Sequence, residues 1–173
     1  MNRGTIAIVV MLVVGVGMAG YAWWHQTQRG KRIQEFLGTE TVQLLRHAPE
    51  VEVYWLQEKR EPATDSPETL LAGCRKQIVT NVQGLVHARH ALILDYNYQF
   101  GEATESKPKW KYAMRFIDGD QSRTVLIAGS DTTIQILGGK SIRVHEAIHE
   151  GLLEFVDRLE VKEKKKDTVM SSN

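Results

Sequence analysis

The chain has 173 residues, with 22 Lys plus Arg against 21 Asp plus Glu and a formal net charge of +1. That length serves one hydrophobic core of roughly 100–200 residues plus an appendage, and the balance of charge excludes a protein that finds nucleic acid through a basic face. Cys74 is the single cysteine, which excludes an intramolecular disulfide framework and suits a small buried hydrophobe.

A short tail, residues 1–5, precedes an uncharged run from Ile6 to Trp24 rich in Val, Ile, Leu and Met. As a helix this run spans about 28 Å, close to the thickness of a bilayer's hydrocarbon core, and it is read as a single transmembrane helix over 6–24. Tyr21, Trp23 and Trp24 stand where an aromatic belt sits, and Arg29, Lys31 and Arg32 follow into the headgroup layer. Gly20-Tyr21-Ala22 also has the small-x-small form of a signal-peptide cleavage site. The paired tryptophans beyond it and the length of the run favour a retained signal anchor. Positive-inside counting favours a cytoplasmic domain, whereas the short tail ahead of a signal-like segment favours export, so the sequence leaves the side of the membrane open. Gly15 and Ala19 form a small-xxx-small pair through which two such helices can approach as a homodimer.

Residues 25–48 read as a juxtamembrane helical segment. Ile33, Phe36, Leu37, Leu44 and Leu45 give an apolar face interrupted at Gly38-Thr39, where Thr39 is expected to cap a second helix. Residues 49–160 read as an α+β domain. Val51 to Leu56 is dense in β-branched and aromatic residues, as a first strand requires. Glu58 to Pro67 reads as an exposed loop, and Ser66-Pro67-Glu68 as the start of a short helix. Gln77 to Val82 suggests a strand, and Leu85 to Tyr96 fits helix and strand equally.

From Trp110 onward, β-rich runs at Trp110–Ile117, Thr124–Ala128, Thr132–Leu137 and Ser141–Val144 are separated by glycine-containing turns, Gly138-Gly139-Lys140 among them. Tight turns join antiparallel neighbours, so the expected sheet is a mostly antiparallel meander. Ile148, Leu152, Phe155, Val156 and Leu159 then mark a C-terminal helix over 147–160 that covers one face of the sheet. Residues 161–173 read as a solvated, disordered charged tail.

One motif carries chemistry. His145-Glu146-Ala147-Ile148-His149 matches H-E-x-x-H, in which two histidines one helical turn apart bind zinc beside a glutamate that activates water. In these five residues the chain resembles the zincin metallopeptidases. The resemblance implies His145 and His149 as metal ligands and Glu146 as general base. His87 and His90, three apart, read as exposed or core-edge histidines, and Tyr96, Tyr98 and Phe100 as aromatics packing on the core. The sequence holds no phosphate loop, nucleophile elbow, paired C-x-x-C or dinucleotide fingerprint. The primary expectation is a single-pass membrane protein whose domain is a noncatalytic binding module for another protein or an envelope component, with no cofactor. The alternative is a membrane-tethered zinc hydrolase.

Overall fold

The computed structural model describes residues 3–28, 30–56, 67–101 and 108–170, without the side chains at 3, 5–7, 9, 25–28, 67 and 162–170. Most of the loop expected over Glu58–Pro67, and the Ser66 cap, lie outside the described residues. Helix α1 (Arg3–Gln28) runs beyond the apolar segment at both ends. Among the described residues no helix is long and apolar enough to cross a membrane, so the span expected over 6–24 is not shown, and what is shown there is the helix itself.

Helix α2 (Lys31–Leu37) and helix α3 (Thr39–His47) are separated by Gly38 at φ 85°. The break falls where the sequence places it, but Gly38 rather than Thr39 is the N-cap. Only glycine enters that positive-φ region without strain, so Thr39 is carried into the first turn. Its neighbours Thr41, Val42, Leu44 and Leu45 are then buried.

Seven antiparallel strands form one sheet: β1 (Glu50–Trp55), β2 (Arg75–Ile78), β3 (Tyr98–Gln99), β4 (Trp110–Asp118), β5 (Gln121–Ala128), β6 (Thr133–Ile136) and β7 (Ser141–Val144). Their order is β2-β1-β4-β5-β6-β7-β3. The meander β4 to β7 is as the turn spacing predicts, with β1 and β2 added on one edge and β3 on the other. The second strand begins at Arg75, earlier than the expected Gln77, because its register is set by β1: Arg75 pairs with Trp55 and Ile78 with Glu52.

Leu85–Ala91 is helix, α5, and a 3-10 turn at Asp95–Asn97 follows it. Together with short α4 (Pro67–Leu71) and long α6 (Glu146–Met170), this completes the fold. Alternation along the strands sends Val51, Val53, Met114, Phe116, Val125 and Ile127 into the main core, which Ile33, Leu45, Leu85, Leu152, Phe155 and Leu159 from the helices complete. The opposite face carries a smaller cluster of Tyr54, Leu56, Leu70, Leu71, Trp110 and Leu126. Helix α6 continues to Met170, past the expected end at 160 and into the segment read as a disordered tail. Lys and Glu lose little side-chain freedom in a helix, so that composition continues one already nucleated on the core.

Candidate functional site

Asn97 precedes β3 and fixes where α6 begins. Its carbonyl accepts from the His145 amide at 2.9 Å, and the His145 carbonyl accepts in turn from the amides of Ile148 and His149. His145 is thereby the residue from which the helix starts, and both it and Glu146 are exposed. His149, one turn on, is only 5% exposed and donates from Nε2 to the Ala128 carbonyl at 2.8 Å.

The H-E-x-x-H spacing therefore places its histidines one turn apart in different surroundings. One ring is in solvent, and the other has a nitrogen committed to the end of β5. Among the described residues no group of three His, Cys, Asp or Glu side chains lies close enough to hold a metal ion, whereas catalytic zinc takes three protein ligands. Among the described residues the donor set is therefore short of the three ligands that the motif implies. The contact His149 does make is structural, since a ring N–H donating to a buried carbonyl satisfies a polar atom that costs free energy when left unpaired.

The same helix lines the more promising feature, a groove of about 440 Å³ between α5 and α6. Ala88, Leu152 and Phe155 are buried beneath it, and His87, Glu154 and Arg158 are exposed at its edge. Two glycines shape it. Gly84 has φ 99°, which strains any other residue, and lies so close to Phe155 that an added Cβ would stand 3.2 Å from the ring and crowd the approach of α5 to α6. At Gly151 a Cβ would meet nothing within 4 Å, which leaves the groove open along that side. His87 belongs to this groove, whereas His90 lies in a separate hollow with Arg46 and Arg89. Their spacing thus brings no pair of ligands together. Cys74 is half-buried, with its thiol against the Leu70 carbonyl.

Two polar arrangements lie outside what the sequence reading picked out. Glu52 sits mid-strand in β1 at 4% exposure, accepting from the Tyr54 hydroxyl at 2.5 Å and the Lys76 ammonium at 2.8 Å. Burial pushes the carboxyl up, but the bonds from Lys76 and Tyr54, helped by Arg115, leave it below the usual carboxylate range. Burial and the same carboxylate push the Tyr54 hydroxyl up. A charged residue inside a β-rich run was the available signal for this cluster.

The second arrangement is Asp95. Its carboxylate accepts from the amides of Gly30 and Ile33, both at 2.8 Å, and of Arg32 at 3.3 Å. Gly30 caps α2 without a side chain, so a residue 65 positions later supplies the cap. The aromatic trio divides in the same region. Tyr98 is buried and donates to the Leu92 carbonyl at 2.7 Å, Phe100 meets Phe36 edge-on at 6.3 Å, and Tyr96 is 62% exposed.

Comparison of the chain with known protein families, with curated proteins and with solved structures finds no match.

Proposed function

We propose that this chain is a noncatalytic binding module held at a membrane by α1. The observation that carries the reading is the surface of that helix. Ile8, Val10, Met11, Leu12, Val13, Val14, Val16 and Met18 are all 53–73% exposed. Removing such side chains from water is worth up to about 1.5–3 kcal/mol each, so together they are comparable with the whole net stability of a domain, about 5–15 kcal/mol. A contiguous apolar surface of that size is stable in a lipid environment or against a partner. The aromatic residues Tyr21, Trp23 and Trp24 at its end support lipid. Alkaline extraction of membranes checks it: the full chain stays with the bilayer at high pH, and its release with peripheral proteins would overturn the anchor.

For the binding role, the groove between α5 and α6 supports an apolar segment of a protein partner as occupant. Its buried apolar floor and polar edge resemble the anatomy of a protein interface, an apolar centre inside a polar rim. Gly151→Trp adds bulk on the open side, where a Cβ meets nothing within 4 Å. The full chain carrying a photo-crosslinking residue in place of His87 is expected to form one discrete protein adduct in membranes, lost when Gly151→Trp is added. An adduct that survives the filled groove, or none at all, contradicts the assignment.

A further inference from the structure

The Asp95 bonds place one part of the domain beside the end of the proposed anchor. The chain leaves α1 at Gln28 and reaches Gly30 two residues later, at most about 7 Å away. Gly30 is itself bonded to the Asp95 carboxylate at 2.8 Å. The next residue, Tyr96, sits on the same 3-10 turn with 62% of its surface exposed. Lys31 and Arg32, also exposed, open the helix that Asp95 caps. One hydrogen-bonded junction therefore gathers an exposed aromatic and two cations where the chain leaves α1.

Resting on the membrane reading above, we infer that the Asp95–Asn97 turn is a second bilayer contact, with Tyr96 at the headgroup level and Lys31 and Arg32 facing anionic phospholipid. Tyrosine suits that depth because its ring is apolar while its hydroxyl remains hydrated. Cations within a Debye length of an anionic surface add attraction. Since the turn is bonded to both sides of α2's start, this contact orients the domain on the membrane, which a flexible tether cannot do.

The test uses the full chain in a Cys74→Ala background, reconstituted into phosphatidylcholine vesicles containing phosphatidylglycerol and spin-labelled lipid. An environment-sensitive fluorophore is attached in turn to Tyr96→Cys, to Val13→Cys on α1, and to Val86→Cys, an exposed position on α5. Lipid-borne quenching at position 96 several-fold above that at position 86, with strong quenching at position 13, is the expected result. Quenching at 13 with position 96 no greater than 86 overturns the second contact and leaves the anchor standing. Loss of quenching at both 13 and 96 removes the anchor reading, and this inference with it.

Discussion

Glu52 joins two strands through its side chain as well as its backbone: it lies on β1, its partner Lys76 lies on β2, and Tyr54 stands two residues along the same face. Removing the buried hydroxyl with Tyr54→Phe deprives a charged carboxylate of a donor, and is expected to cost about 1.5–3 kcal/mol in chemical denaturation of the full chain in detergent. The direction of the Glu52 shift also sets a pH dependence. Because the folded carboxyl is held below its unfolded value, its contribution is present above the usual carboxylate range and is lost as pH falls through the folded value. Glu52→Gln should therefore flatten the acid side of the stability profile; a profile that falls as steeply as the parent's would rule this account out.

Asp95 is the other residue whose role was not legible in the sequence. Asp at position 95 and Gly at position 30 are each ordinary, and only the fold brings them together. Asp95→Ala leaves the first amides of α2 without their acceptor and is expected to cost about 1 kcal/mol. Hydrogen exchange should quicken at residues 30–37 and not in β4 or β5. The H-E-x-x-H motif shows the opposite case, since its five residues were plain to read while the direction of each ring was not. His149 reaches the Ala128 carbonyl, and His145 precedes α6 with its amide bonded to the Asn97 carbonyl, contacts that the motif does not encode.

Among the elements, the meander was legible because its signals are local: period-two burial and glycine-bearing turns act over a few residues. The placement of β1 between β2 and β4, and of β3 beside β7, depends on long-range pairing that no local pattern encodes. The same holds for the groove, which arises where α5 crosses α6. Its two glycines make opposite predictions. Gly84→Ala combines an unfavourable φ with a close approach to the Phe155 ring and should destabilise by about 1–3 kcal/mol. Gly151→Ala meets open space in a helix interior and should stabilise by about 0.5–1 kcal/mol. Thermal unfolding of both variants in one detergent separates them: the first lowers Tm and the second raises it.

At the scale of the molecule, two parts follow different rules. The domain closes a main core on one face of its sheet and a smaller cluster on the other, while α1 leaves its described apolar side chains exposed. The Asp95 carboxylate ties its 3-10 turn to the start of α2, two residues beyond the end of α1. The most direct measurement is the reactivity of Val13→Cys, in a Cys74→Ala background, toward a membrane-impermeant maleimide in intact membranes. The account predicts protection until detergent is added, with Val86→Cys in the same background reactive once its side of the membrane is accessible. Labelling at position 13 as fast as at position 86 in undisturbed membranes would place α1 in water and contradict it.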